Sequence, residues 1–236
     1  MPSSPRSATP VCLVIRWPRG LAPQSGPAQL LRRLVEDHLP ATWGVEAREQ
    51  LATFDGVSPS FVETALFLPK TTATTVSDAI ADGLHRFEAA GRAVATLCVD
   101  AELPRGQVER QLAQQGVGAI VTGAASEAAA IRPLPFGVWQ MEPAGTLPSQ
   151  RRWFRRVGGV PQDFFSTVAS PMVASVDLAA VGATESRGWR ELEKAIDQAA
   201  TAVDRGQIRM ATVADLTAEL ARQGASRPQR SILRAA

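Results

Sequence analysis

Cysteine is scarce in this chain of 236 residues: only Cys12 and Cys98 are present, each inside an apolar run. A small secreted domain held together by disulfides needs more cysteines in a shorter chain, so that class of protein is excluded. We expect both residues to be buried free thiols. The protein is accordingly expected to be cytoplasmic, where thiols stay reduced.

Histidine is equally scarce, since His38 and His85 are the only two in the chain. Both fall in predicted helices, and His38 stands at a helix C-terminus, where a partial positive charge is favourable in any case. A catalytic triad or a metal site built on several imidazoles is therefore not expected. No cofactor is expected either.

Long apolar runs and an excess of one charge are also missing. The longest apolar run, residues 11–15, is far too short to cross a bilayer, and the formal net charge is only +2. Nucleic-acid binding usually requires a concentrated basic face, so it is not expected.

The one basic run carries Arg151, Arg152, Arg155 and Arg156 around Trp153 and Phe154. We interpret it as a helix that buries its aromatics, and contact with an anion, a membrane surface or nucleic acid is the alternative.

What the chain does contain is an alternation of short apolar strands with helices. Strands are predicted at residues 11–17, 41–45, 63–68, 94–100, 117–122, 136–141, 172–177 and 208–212. Helices are predicted at residues 28–39, 76–90, 107–115, 149–157, 188–205 and 213–223. This alternation, without a hairpin signal, indicates parallel βαβ units in one α/β domain over residues 11–223. Residues 1–10 are predicted to be a disordered lead-in, and residues 224–236 a flexible tail.

Both a (β/α)7-type barrel with a parallel sheet and an open doubly wound sheet satisfy this pattern. No glycine-rich phosphate loop follows the first strand, which weakens the nucleotide-binding version of the open sheet. The barrel is the preferred prediction, and the open sheet is the alternative.

Several segments of the framework resemble polysaccharide deacetylases of the NodB-homology type. Residues 30–45, LLRRLVEDHLPATWGV, resemble the first helix and second strand of that family. Residues 188–202 resemble its last long helix, and residues 208–216 its closing strand and helix. Residues 103–106, LPRG, with the helix and strand after them, are similar to the region that follows the family's Arg-Pro-Pro-Tyr-Gly motif. The resemblance spans roughly residues 11–220 and implies a distorted, TIM-like (β/α)7 barrel.

The residues that the resemblance would assign to a catalytic metal are missing. The family implies two aspartates after the first strand, two histidines after the third, and a His-Asp pair late in the chain. Here the first strand ends in Arg16 and Trp17, residues 66–71 hold no histidine, and Asp177 follows a valine. Arginine is always charged and only donates hydrogen bonds, so it cannot bind a metal. We therefore expect neither a bound metal nor metal-dependent deacetylation.

Barrels of this kind bind ligands at the C-terminal ends of their strands, and seven residues are expected there. They are Arg16, Trp17, Asp100, Glu102, Trp139, Glu142 and Asp177. The two tryptophans are expected either to stack on a sugar ring or to belong to the core. The acids are expected either to contact a ligand, or to cap helices and pair with Arg16, Arg105 and Arg132. Arg16 in particular is predicted to pair with Asp177.

Two other acidic motifs have simpler interpretations. Asp55 and Gly56 are predicted to form a turn. Asp78, Asp82 and His85 share one face of a predicted helix, opposite its apolar face, and are predicted to be solvated. Neither motif is expected to bind a metal.

The preferred functional hypothesis is a degenerate deacetylase-like barrel that serves as a carbohydrate-related binding or regulatory protein in bacterial polysaccharide metabolism. One alternative is a carbohydrate-active hydrolase of C–N or ester bonds, with a relocated or metal-independent site around Asp100, Glu102 and Asp177. A second alternative is an interaction protein that uses the basic run at residues 151–156. The sequence leaves the oligomeric state open.

Overall fold

The computed structural model describes residues 8–70, 75–100, 103, 106–123, 130–147, 165 and 168–226. The strands are β1 Thr9–Trp17, β2 Ala41–Val45, β3 Val62–Leu68, β4 Thr96–Val99, β5 Ala119–Thr122, β6 Ile131–Pro133, β7 Trp139–Met141, β8 Gly145–Leu147, β9 Met172–Asp177 and β10 Ile208–Ala211. The helices are α1 Pro27–Glu36, α2 Arg48–Leu51, α3 Val76–Glu88, α4 Gln107–Gln114, α5 Leu178–Val181, α6 Arg187–Asp204 and α7 Val213–Ser226. No described helix combines the length and the apolarity that crossing a membrane requires.

The strands form one curled sheet, with hydrogen-bonded order β6-β7-β5-β4-β3-β2-β1-β9-β8, and β10 pairs with β1. Every pairing among these described strands is parallel except that of β6 with β7. The sheet curls into a half-barrel surrounded by helices, which confirms the predicted α/β class and the parallel sheet. Parallel strands all end at one edge, and this edge positions the candidate site.

The two sides of the curled sheet are joined by a very short connection. β7 pairs with β5 on one side, and β8 pairs with β9 on the other. Only residues 142–144 separate β7 from β8 along the chain. The chain therefore passes directly from one side of the concave face to the other.

Alternate residues of each strand point to different layers of the core. In β1, Leu13 and Ile15 pack with the apolar faces of the helices, whereas Cys12 and Val14 lie on the concave face of the sheet. The concave cluster also contains residues from six other strands and from α7. These are Ala65, Phe67, Cys98, Ala119, Val121, Met141, Val173, Ala211, Val213 and Leu216. Since α7 supplies the last two, it covers the N-terminal end of the concave face.

Some elements differ from the predictions. The hairpin of β6 and β7 was not predicted, because β6 has three residues that end in Pro133 and gives no recognisable pattern. The strand predicted at 136–141 starts only at Trp139, after a 3-10 turn at Pro135–Gly137. His38 lies beyond the end of α1, in the left-handed conformation with φ 54°, and its ring stacks on Phe61. The helix predicted at 149–157, which includes the basic run, lies outside the described residues.

The two alternative acidic motifs behave as predicted. Residues 55 and 56 form a turn in which Gly56 has a φ of 79°. Asp78, Asp82 and His85 are all exposed on the outer face of α3. The Thr75 hydroxyl caps this helix by accepting a hydrogen bond from the backbone N–H of Asp78.

Candidate functional site

Arg16, Asp100 and Asp177 meet at the C-terminal end of the sheet. Nη1 of Arg16 lies 2.6 Å from Oδ1 of Asp100, and Nη2 lies 3.6 Å from Oδ2 of Asp177. Arg16 and Asp177 are register partners in the neighbouring strands β1 and β9. The predicted pairing of Arg16 with Asp177 is therefore confirmed, and Asp100 is a second partner.

The guanidinium is buried more deeply than either carboxylate. The side chain of Arg16 is 11% exposed, whereas those of Asp100 and Asp177 are 29% and 33% exposed. Oδ1 of Asp177 also caps α5, by accepting a hydrogen bond from the N–H of Ala179 at 3.0 Å. Two carboxylates thus offset the cost of removing one guanidinium from water, while their own outer edges remain accessible.

Gly123 makes room for this arrangement. It follows β5, and its N–H donates to the Val99 carbonyl at 2.6 Å. A Cβ at this position would lie 1.8 Å from Oδ1 of Asp100 and 3.0 Å from Nη1 of Arg16. The sequence interpretation missed Gly123, although a glycine at the end of a predicted strand is a known signal of close approach.

The described residues do not fit the catalytic metal that the resemblance implies. Both carboxylates already pair with a permanent cation, and Arg16 itself has no lone pair to donate. A divalent cation placed here would be repelled by the guanidinium. Nowhere in the described parts of the chain do three or more His, Cys, Asp or Glu residues come together in a way that could hold a metal ion.

The two cysteines lie deeper on the concave face and are free and buried, as predicted. Burial, followed by the nearby Glu63 carboxylate, raises the pKa of both thiols far above the usual range. Cys98 stands two residues before Asp100, beneath the ion pair. Both thiols stay protonated at neutral pH and are poor nucleophiles.

Trp17 belongs to the core, which is the second of the two roles expected of it. It is completely buried, and its indole N–H donates to the Leu21 carbonyl at 2.8 Å. Its ring packs edge-on against Trp43 and Phe54, with centroids 6.3 Å and 6.1 Å away. The reason is strand alternation: Arg16 points to the concave face, so its neighbour points to the helices.

Trp139 lies at the other end of the sheet, which corrects its expected position at the C-terminal ends of the strands. It is the first residue of β7 and pairs with Ala119, the first residue of β5. Asp100, by contrast, follows the last residue of β4. Trp139 is partly buried beside Ile131 and Leu220 on the concave cluster, away from the Arg16 ion pair.

Glu142 is not part of the Arg16 cluster. Its Oε1 lies 3.7 Å from Nη2 of Arg132 and 3.4 Å from Nε2 of Gln140. This is the pairing with Arg132 that one of the two interpretations of the acids predicted. Glu102 lies outside the described residues, so its role stays a prediction.

Comparisons with solved structures show similarity of fold. A proposed hydrolase from Bacteroides thetaiotaomicron has a TM-score of 0.57 and 13% identity, over 94% of this chain and 46% of that protein. A 4-alpha-glucanotransferase from Thermococcus litoralis has a TM-score of 0.55 and 9% identity, over 89% of this chain and 38% of that protein. This chain therefore spans less than half the length of either. A proposed polysaccharide deacetylase involved in O-antigen biosynthesis, from Bordetella bronchiseptica, has a TM-score of 0.53 and 11% identity, over 90% of both chains.

No protein-family model matches the chain, and no curated protein matches it. At these identities the likeness concerns the fold alone. The fold is one that a 4-alpha-glucanotransferase, a proposed polysaccharide deacetylase and a proposed hydrolase share.

Proposed function

We propose that this chain is a carbohydrate-related binding or regulatory protein that does not act as a metal-dependent deacetylase. Its ligand would bind at the C-terminal edge of the sheet, around Arg16, Asp100 and Asp177. The observation that carries the proposal is the guanidinium of Arg16, held between two carboxylates at 2.6 Å and 3.6 Å. The carbohydrate-related fold of the structural neighbours supports the class of ligand.

The chemistry of the cluster suits a hydroxylated ligand. Asp100 and Asp177 are the more exposed members, so a ligand that approaches from solvent meets carboxylate oxygens first. Carboxylates accept hydrogen bonds from sugar hydroxyls, while the buried arginine fixes their orientation. Fixed polar groups of this kind determine how a ligand is oriented in a concave site.

Metal analysis and ligand binding test this proposal together. Protein purified without chelators should contain no stoichiometric zinc, cobalt or nickel by mass spectrometry. Chito-oligosaccharides with and without N-acetyl groups should be screened by thermal shift. A shift produced by one of them should be lost in Arg16→Leu and kept in Arg33→Leu, since Arg33 lies on α1 and pairs with Asp37 and Asp197.

A stoichiometric metal that disappears in Asp100→Asn or Asp177→Asn would overturn the proposal. So would ligand binding that is unaffected by Arg16→Leu.

A hydrolase with a metal-independent site is the second candidate, because the two carboxylates lie on either side of one guanidinium. Two carboxyl groups at one site are the minimum set for general acid and base catalysis on a glycoside. Cleavage or acetate release that persists in EDTA and is lost in both Asp100→Asn and Asp177→Asn would favour this candidate over a binding protein.

A further inference from the structure

A cavity lies at the C-terminal edge of the sheet, between the loop that follows β1 and the loop that follows β2. Its volume is about 210 Å³, and it is lined by residues 19–23 of the first loop and by Ala47, Glu49 and Gln50 of the second. Since β1 and β2 are parallel neighbours, both loops leave the edge that carries Arg16, Asp100 and Asp177 (the Arg16 cluster). Arg19 is three residues after Arg16, so their Cα atoms are at most about 11 Å apart. A ligand at the Arg16 cluster can therefore reach the cavity.

The buried side chain of Gln50 fastens the two loops to each other. Its Nε2 donates hydrogen bonds to the carbonyls of Trp17 at 3.0 Å and Pro18 at 3.1 Å. Its Oε1 accepts hydrogen bonds from the N–H groups of Glu46 at 2.9 Å and Ala47 at 2.8 Å. The amide thus uses both of its donors and both of its lone pairs on backbone groups. Walls held in this way are in place before a ligand arrives, which lowers the entropic cost of binding.

The lining of the cavity combines apolar and charged groups. The N–H of Arg19 is fixed by donating to Oε2 of Glu46 at 2.9 Å. The side chains of Arg19 and Glu49 are exposed, and neither pairs with another residue in the described parts of the chain. Residues 21–23, with the sequence Leu-Ala-Pro, supply an apolar wall. The cavity thus offers one surface for C–H groups, a guanidinium that donates hydrogen bonds and a carboxylate that accepts them.

We propose that this cavity is a second subsite for the ligand of the Arg16 cluster and takes one further sugar unit. The ligand is then an oligosaccharide and not a monosaccharide. This inference rests on the proposed function and adds the length of the ligand to it. A pyranose ring has an apolar face of C–H groups and a rim of hydroxyl groups. The face matches the wall of residues 21–23, and the rim matches Arg19 and Glu49.

The volume and the charges of the cavity decide what it holds. Pockets that enclose a whole drug-sized molecule have volumes of about 300–1,000 Å³, and this one has about 210 Å³. It therefore accommodates one ring, and the rest of the ligand lies outside it. Arg19 and Glu49 carry opposite charges, so a charged unit would be repelled by one of them. An uncharged, hydroxylated unit is favoured.

Calorimetric titration of the full chain with sugars of two lengths tests the proposal. The probes are N-acetylglucosamine, glucosamine and the β-1,4-linked dimer of each. A dimer should bind at least about tenfold more tightly than its monomer, because only the dimer reaches both subsites. Amide resonances give a second readout. At concentrations that saturate the Arg16 cluster, the dimer should shift the signals of Gly20 and Leu21, and the monomer should not.

Filling the cavity should abolish the advantage of the dimer. Ala22→Leu and Ala47→Leu, combined in one variant, add apolar side chains from both loops. Both alanines have an extended backbone, with ψ of 144° and 145°, which leucine adopts without strain. Leucine is preferred to an aromatic residue, whose ring can itself stack on a sugar. Ala81→Leu is the matched control, because Ala81 is exposed on α3, and it should leave the ratio of the two affinities unchanged.

The outcomes separate this inference from the proposed function. Equal affinity for monomer and dimer, or a ratio that persists in the filled cavity, would overturn the second subsite alone if Arg16→Leu still abolishes binding. Binding that Arg16→Leu leaves unchanged would overturn the proposed function as well. So would the absence of binding by all four sugars.

Discussion

Arg16 on β1 donates a 2.6 Å hydrogen bond to Asp100, which follows β4, although β2 and β3 lie between these strands in the sheet. The contact therefore crosses the concave face and links strands that share no backbone hydrogen bonds. It occupies the edge of the sheet where barrels of this kind bind ligands.

Replacing Arg16 by leucine should lower the free energy of unfolding by about 1–3 kcal/mol. The substitution leaves Asp100 and Asp177 without their cation, but both acids are partly exposed and regain some hydration, so the loss is smaller than for a fully buried pair. Urea denaturation measures the change. Arg33→Leu, at an exposed ion pair, should cost no more than about 1 kcal/mol. Equal stability of the two variants would mean that the cluster contributes no more to folding than an exposed ion pair.

Gly123→Ala should break the bond between Arg16 and Asp100. The new methyl group would lie 1.8 Å from Oδ1 of Asp100 and must displace that carboxylate. The loss of stability should therefore shrink when Asp100 is already alanine, which a double-mutant cycle detects. The control is Gly118→Ala. Gly118 comes just before β5, and a Cβ there would contact only Thr217, at 3.5 Å. Additive effects of Gly123→Ala and Asp100→Ala would contradict the steric argument.

Cys12 and Cys98 should resist thiol reagents in the folded protein. Both are buried, and burial raises the pKa of each thiol, so that the reactive thiolate does not form at neutral or mildly alkaline pH. A chromogenic disulfide reagent should detect both thiols only after denaturation in guanidinium chloride. Rapid labelling of native protein at neutral pH would show that the concave face opens.

Trp17→Phe should reduce stability by about 1–3 kcal/mol without changing ligand binding. The variant loses buried volume and the hydrogen bond to the Leu21 carbonyl, and neither is at the candidate site. Thermal unfolding with and without a bound oligosaccharide separates the two effects. A lower unfolding temperature with an unchanged ligand-induced shift is expected. Loss of that shift would mean that Trp17 contributes to ligand binding.

The long helices were predictable because their signals are local. For α6, the sequence predicts residues 188–205, and the helix spans Arg187–Asp204 with Ser186 as its N-cap. The strands β6 and β8 were missed for the opposite reason. Each has three residues, with Pro133 in one and Gly145 in the other, and such strands exist only because a longer neighbour pairs with them.

The candidate site was predictable only in part. Arg16 and Asp177 stand at the ends of two predicted parallel strands. Because parallel strands end at the same edge of a sheet, the sequence predicts that the two side chains lie close together. The position of Trp139 did not follow, because it depends on the register of β7 against β5. A shift of three residues along a strand moves a side chain about 10 Å, which separates one end of the sheet from the other.

The sequence by itself determined the alternation of strands and helices and the burial of both thiols. It also placed Arg16 where the resemblance implies an acid. These depend on residue type and on spacing along the chain. The tertiary structure alone decided that Asp100 reaches Arg16 across the concave face, that Gly123 makes room for it, and that Glu63 meets the start of α7. Arg16 and Asp100 are 84 positions apart along the chain, and Glu63 and Ala214 are 151 positions apart. These contacts depend on the curl and register of the whole sheet, which no local pattern encodes.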